Sequence, residues 1–324
     1  MSVHLMTTIL ASDDPIQHIV DKSIFDSPLM LSMVTLVVGA ALVCWLLGRA
    51  AKAISTGPES MGNRRFLPST KFGATIEVIV LYLRNDMLVP VMGERLTAKY
   101  LGFLLTLFFF ILILNIIGLI PFVEIQDAMY YFAGKHFDIK DHQTAAIFGG
   151  AATASISVTA GLACITFVVV QTQGLKELGL KGWLEHLCGG SELVHGAWFL
   201  WAVIPIIFVV EFFGLFVKPA ALAIRLFANM VAGHTLLLTV TMFGAMAMKA
   251  GLGTFAVGGI TVVSGIGAII ITFLEVFVAL LQAFIFMFLS AVFISLMAHE
   301  EHADHADHAD DHGHAPHAEG APAH

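Results

Sequence analysis

The sequence predicts an all-α integral membrane protein with about five membrane helices, the last two long and steeply tilted, plus an amphipathic helix at the inner surface. Three observations carry this expectation. Of 324 residues, 58% are hydrophobic and only 12% charged, with a mean hydropathy of +0.87, which excludes the soluble globular classes. Apolar runs recur at or beyond the roughly 20 residues that cross about 30 Å of hydrocarbon as a helix. Third, Arg225 lies near the middle of the apolar run 199–243. A guanidinium keeps its charge at any working pH, and at mid-bilayer it costs about 3 kcal/mol on insertion scales and over 10 in simulations. An arginine near a helix end could snorkel to the headgroups, but apolar sequence extends far to both sides of this one.

The elements follow in order. No Lys or Arg precedes the mildly apolar stretch 3–10, so a cleaved secretory signal is not expected. Residues 15–26, with Ile16, Ile19, Val20 and Ile24 on one stripe, suit a short surface helix. Residues 28–48 form the first span. The segment 49–100 holds Arg49, Lys52, Arg64, Arg65, Lys71, Arg84, Arg95 and Lys99, half of the 16 Lys and Arg, and the positive-inside rule makes it cytoplasmic with the N-terminus outside. Within it Phe72, Ile76, Ile79, Val80 and Leu83 recur at helical spacing, the mark of an amphipathic helix at the inner surface.

The second span is 100–123. Within it Asn115 can bond across helices and Pro121 ends the run. Loop 124–144 suits the outer side. The third span, 145–170, is rich in Ala, Gly, Ser and Thr, which allow close packing in lipid. Thr153, Ser155, Ser157 and Thr159 read there as packing residues rather than a conduit. Residues 171–198 return to the inner side with Lys176 and Lys181. The runs 199–243 and 254–297 would each make a helix of about 65 Å, twice what an upright span needs. Each is either two spans or one long tilted helix, and both choices leave an odd span count and an inner C-terminus. Only Lys218-Pro219 interrupts the first run, which favours tilted or bent helices.

Three domains follow: an outer segment 1–27, a membrane domain 28–298, and a cytoplasmic tail 299–324 that repeats His-Ala-Asp three times and carries eight of the 15 histidines. With no apolar residue larger than Ala or Pro, the tail reads as solvated disorder rather than as a metal site. It also holds seven of the 24 acids, so the rest carries 17 acids against 16 Lys and Arg. The net charge of −8 therefore belongs to the tail and points to no nucleic-acid partner. Cys44, Cys164 and Cys188 have no metal-ligand spacing and read as free thiols. No cofactor, metal or Walker-type lysine loop is expected.

Five charged or titratable side chains fall inside the last two runs: Glu211, Lys218, Arg225, His234 and Glu275. On an ideal helix Glu211 and Arg225 differ by about 320° in heading, Lys218 and Arg225 by about 20°, and Arg225 and Asn229 by about 40°. Those four share a face. His234 lies roughly 180° away and about 13 Å along the axis, and Glu275 and Gln282, seven apart, share a face of the last helix. His and Glu can load and unload protons, whereas Arg cannot. A series of titratable groups interrupted by a fixed cation carries protons up to the cation and no further.

The stretch from Lys218 through Arg225 and Asn229 to Gly233-His234, together with Asn115–Pro121 and Leu281–Met287, resembles subunit a of F-type ATP synthases, with the motifs in order from the second span to the last. The resemblance implies a proton-conducting stator subunit beside a rotating c-ring, in contact with the peripheral-stalk subunit b, in a bacterial inner membrane. The resemblance also implies that such a subunit has no catalytic site of its own. Arg225 would be the essential arginine separating two aqueous half-channels, flanked by Asn229 and Gln282 at the ring interface. Glu211, His234 and Glu275 match half-channel positions. Many bacterial members have a glutamate in place of His234 and a histidine in place of Glu275, and the pair is exchanged here as in mitochondrial members. Ser155 stands where many members have an Asp, which argues against a channel role for that span. The competing reading is an ion-coupled secondary transporter using intramembrane Arg, Glu and His, but the two final runs are dissimilar rather than matched repeats. A voltage sensor would need repeated arginines.

Overall fold

The computed structural model describes residues 31–54, 70–120, 151–188 and 204–297, all helical apart from short turns. Its helices are α1 (Leu31–Ile54), α2 (Lys71–Tyr82), α3 (Val89–Leu119), α4 (Ile156–Leu187), α5 (Ile204–Lys249) and α6 (Thr254–Leu296). With α2 and α3 taken as one stretch, five are long and apolar enough to cross a membrane. The expectations for residues 1–27, loop 124–144 and tail 299–324 lie outside the described residues.

The amphipathic segment forms as expected. Thr70 caps α2 by accepting from Gly73 N at 3.1 Å, satisfying one of the donors a helix start leaves free. Ile76 and Leu83 are buried, with Ile79 and Val80 packed against the core, while Phe72 faces outward. A π-turn, Leu83–Leu88, joins α2 to α3. Its cause is Pro90, which has no N–H and whose ring crowds the Asp86 carbonyl, so the chain widens by one residue ahead of it. The direction then changes at Gly93, whose φ of 73° and ψ of 166° are not helical.

The third span starts later and ends later than its hydropathy suggests. Ala152–Ala154 form a 3-10 turn and the helix begins at Ile156. Ser155 is extended, and its carbonyl accepts from Val158 and Thr159, as an N-cap residue does. Thr153 and Ser155 thus precede the helix instead of lying within it. At the other end the helix runs past Val170 and breaks at Gly179, where φ is 68°. Residues 171–178 therefore continue the helix of the third span.

Both long runs are single helices of 46 and 43 residues, about 69 and 65 Å. Neither fits upright in about 30 Å of hydrocarbon. Pro219 lies inside α5 and leaves the Leu215 carbonyl without its helical donor, a built-in bending point.

Helix α6 packs against α3 and α5, α5 against α4, and α1 against α3. Leu104 and Ile111 of α3 share a core with Ala283, Phe286, Met287, Ala291 and Ile294 of α6, all fully buried, with Leu222 and Leu226 of α5 in the same cluster, while Leu114 of α3 packs on Gly39 of α1. Two polar ties close one end of the bundle. Ser295 Oγ donates to Val91 O at 2.7 Å, and with Asn115 of α3 bonded to Ala279 O of α6 this shows that α3 and α6 run antiparallel. Lys99 Nζ donates to Gln173 Oε1 at 2.9 Å, Tyr100 donates to the same oxygen, and Gln173 Nε2 donates to Glu177 Oε1 at 2.6 Å. Gln173 is fully buried, and this cluster pins α3 to α4. Cys44, Cys164 and Cys188 are free.

An Ala at Gly93 meets nothing within 4 Å, so its cost is purely conformational. Gly93→Ala should destabilise the protein by about 1–3 kcal/mol, seen as a lower thermal midpoint in detergent. An unchanged midpoint would mean that the bend at Gly93 is not a fixed feature.

Candidate functional site

Helices α5 and α6 form an antiparallel hairpin whose register is set by close approaches. A Cβ on Gly244 would come 2.7 Å from Thr261 Oγ1, and one on Gly267 3.5 Å from Val240 Cγ1. Ser264 Oγ donates to Val240 O. Further along, a Cβ on Gly233 would lie 2.8 Å from Glu275 Oε1. The residue numbers of each pair total nearly the same value, as an antiparallel pair requires. Extended along both helices, that register sets Gln282 level with Arg225.

The Glu275 carboxyl therefore rests on the bare backbone of Gly233, beside His234. Glu275 is 7% exposed, and neither of its oxygens has a hydrogen-bond partner. His234 does not bond to it. Its Nε2 instead lies 2.9 Å from the Gly118 carbonyl of α3, and its Nδ1 is buried without a partner. Asn115, one turn earlier on α3, donates from Nδ2 to Ala279 O of α6 at 3.4 Å and leaves Oδ1 unpaired. Gln282 is 3% exposed with Nε2 unpaired. Glu275, Ala279, Gln282 and Phe286 follow one another along the buried face of α6.

Orphan polar atoms concentrate here. Among the described residues, buried side-chain atoms without a partner belong to Thr97, Asn115, Thr153, His234, Glu275 and Gln282. Thr153 lies in the 3-10 turn packed against α3 and α5. The same turn's Ala151 would meet a Cβ on Gly118 at 3.1 Å. Buried polar atoms are normally paired, and an isolated one costs several kcal/mol in a dry interior. A junction this polar is tolerable where water reaches it.

Arg225 has the opposite surroundings. It is exposed on α5, with no hydrogen bond or ion pair to the described residues, and Ile224, Phe216, Val217 and Phe213 beside or below it are exposed as well. Leu222 and Leu226, on the reverse face, are buried. Asn229 is half-buried on the Arg225 side. Two turns and four turns before Arg225, Lys218 and Glu211 flank Gly214, whose Cβ would lie 4.0 Å from Lys218 Cε and from Glu211 Oε2. Both are half-buried. The expected polar stripe on α5 thus exists as a face, and Glu275 and Gln282 share theirs.

His234 and Glu275 share no hydrogen bond: Nε2 is engaged by Gly118 O, and Nδ1 and both Glu275 oxygens are left without a protein partner. Sequence reasoning also missed Gly118, Gly233 and Thr153 as parts of this junction. A signal was available at Gly233, a glycine adjoining an intramembrane histidine, where close helix approach is the ordinary reason for a glycine.

Comparison with known proteins identifies the family. A profile of the ATP synthase A chain family matches residues 29–295. ATP synthase subunit a of Chlorobium phaeobacteroides is 37% identical over 310 residues, covering 92% of this chain and 75% of that protein. The Myxococcus xanthus subunit a is 34% identical over 307 residues, 94% of this chain and 80% of its own length. That of Pelodictyon phaeoclathratiforme reaches 40% over 232 residues, 70% of this chain and 56% of that protein. With five membrane-length helices and matches of this extent, the chain is a multi-pass membrane protein that belongs to the ATP synthase A chain family.

Proposed function

We propose that this chain is the proton-conducting stator subunit of a rotary F-type ATP synthase, with two half-channels against a c-ring and Arg225 as the barrier between them. The observation that carries it is the contrast on α5: an arginine with no partner among the described residues, on an exposed apolar face, and a partly unpaired His234–Glu275 junction nine residues further on. The apolar face is where the ring would pass. A ring carboxyl coming level with Arg225 loses its proton as the ion pair forms, since a neighbouring guanidinium favours the carboxylate. Protons cannot pass the fixed cation, so entry and exit are separate and rotation has a direction.

The polar junction of His234, Glu275, Asn115 and Gln282 is the natural outer-side path, and Glu211 with Lys218 belongs to the inner side. Asn229 flanks the arginine at the ring, whereas Gln282, level with Arg225 but buried on α6, lies behind that surface instead of on it. The chain contributes no nucleotide chemistry, and its partners are the c-ring, the peripheral-stalk subunit b and lipid. Ser155, an N-cap outside the helix proper, has no assigned part in either path. The N-terminal segment 1–27 is outside, and the tail 299–324 is cytoplasmic and dispensable for coupling.

Arg225→Ala should abolish ATP-driven proton pumping in a complex that still assembles, and Arg225→Lys should restore it only in part, because an ammonium is titratable and more strongly hydrated. Normal pumping by the Ala variant would remove the barrier role. His234→Ala and Glu275→Ala should each lower proton flux by about a hundredfold, the low end for a positioned proton-transfer group. The double change should cost less than the product of the two, as interacting sites do. Normal flux with reduced assembly would leave the pair a purely structural contact. Reporter fusions after residue 324 and within 124–144 should report opposite sides of the membrane, and the same side for both would overturn the topology.

A further inference from the structure

We infer that Gly118 is a positioning residue for proton transfer: its backbone carbonyl holds the Nε2 hydrogen of His234, so that His234 takes up and releases protons only at Nδ1. The inference rests on the half-channel reading above for its functional meaning, and on the geometry alone for the assignment of the two nitrogens. A carbonyl oxygen has no hydrogen to give. With Nε2 at 2.9 Å from Gly118 O, the ring nitrogen must be the donor, and the neutral imidazole is the tautomer with hydrogen on Nε2. That leaves the Nδ1 lone pair bare, and Nδ1 is the buried ring atom with no protein partner.

Three features make Gly118 suited to this anchor. It lies in the last turn of α3, which ends at Leu119, and the carbonyls of a helix's final turn have no donor from their own helix. The oxygen is therefore available to a side chain from another helix. Second, the residue has no room for a side chain, since a Cβ would collide with Met230 Cε and lie 3.1 Å from Ala151 Cβ. The bare glycine lets α3 and α5 approach closely enough for the bond. Third, the acceptor is main chain, so it presents an oxygen that does not titrate or rotate away.

Proton movement is then confined to one edge of the ring. A proton arriving from water or from the Glu275 carboxyl bonds to Nδ1 and gives an imidazolium with both nitrogens protonated. When it leaves, the N–H bond at Nδ1 breaks and its electron pair returns to that nitrogen. Nε2 keeps its hydrogen and its bond to Gly118 throughout. The histidine works as a one-sided relay, and it does not pass a proton from one nitrogen to the other.

The test is nitrogen-15 solid-state NMR of the intact complex in lipid with labelled histidine. This chain alone has 15 histidines, so His234 is identified by difference against a His234→Gln complex, in which the Gln amide can still donate to Gly118 O. The expected neutral-ring spectrum has a protonated Nε2 and an unprotonated Nδ1. A neutral ring protonated at Nδ1 overturns the inference. In Gly118→Ala the added methyl must displace the Met230 tip and press on Ala151, which shifts the end of α3 against α5, and both neutral tautomers should become populated. An assembled Gly118→Ala complex with the wild-type spectrum overturns the anchoring role of this residue, and if that variant does not assemble, the wild-type spectrum alone decides. The tautomer is read without measuring flux. Normal proton flux in His234→Ala would remove the half-channel reading while leaving the tautomer assignment to stand or fall by its own spectrum.

Discussion

A guanidinium in hydrocarbon costs at least about 3 kcal/mol, and among the described residues Arg225 has no partner to offset that cost. Its reverse neighbours Leu222 and Leu226 are packed into the core, which fixes the rotation of α5 and so holds the arginine outward. An arginine serving only the fold would instead be turned inward and paired with an acid, and the buried acid of the adjoining helix α6 is Glu275. The two are kept apart by two turns of helix and by opposite exposure. A cation left unpaired among the described residues is what the proposed passing of a ring carboxylate over this face would require.

Close contact, rather than direct bonding, organises the other half of the site. Gly233 brings the Glu275 carboxyl onto the α5 backbone, and Gly118 brings the end of α3 onto His234. Asn115 ties α3 to α6 one turn away. Three helices therefore meet around side chains that satisfy each other incompletely. In a dry core such a junction would be strongly destabilising, and apolar residues of similar volume would pack better. Its persistence in the structure makes chemical sense if water and protons use it. The opposite end of the bundle, where Lys99, Tyr100, Gln173 and Glu177 are bonded to one another, is polar in a different way, since those groups mostly satisfy each other and act as a clamp.

Much of this was legible in the sequence, for reasons that differ from element to element. Span-length apolar runs and the amphipathic stripe of α2 depend on short-range periodicity, and both formed. The faces of α5 and α6 followed from heptad spacing, so the common side of Glu211, Lys218 and Arg225 and that of Glu275 and Gln282 could be read directly. The start of α4 could not, because small residues such as Thr153 and Ser155 suit a tight membrane helix and a cap about equally. Breaks at Gly93 and Gly179 were also hidden, since nothing in one chain distinguishes a glycine used for positive φ from one used for packing. The partner of His234 is a main-chain oxygen 116 residues away in sequence, and a backbone group leaves no residue-type signal at all.

The claim on which everything else depends is that Arg225 separates two aqueous paths. Membrane vesicles of the intact complex, lacking Cys44, Cys164 and Cys188 and carrying a single cysteine at position 211 or at position 275, would be treated with a membrane-impermeant thiol reagent from one side at a time. The expected result is that the cysteine at 275 reacts only from the outer side and the one at 211 only from the inner side. Reaction of both from the same side would mean a single continuous passage, and would contradict a barrier at Arg225.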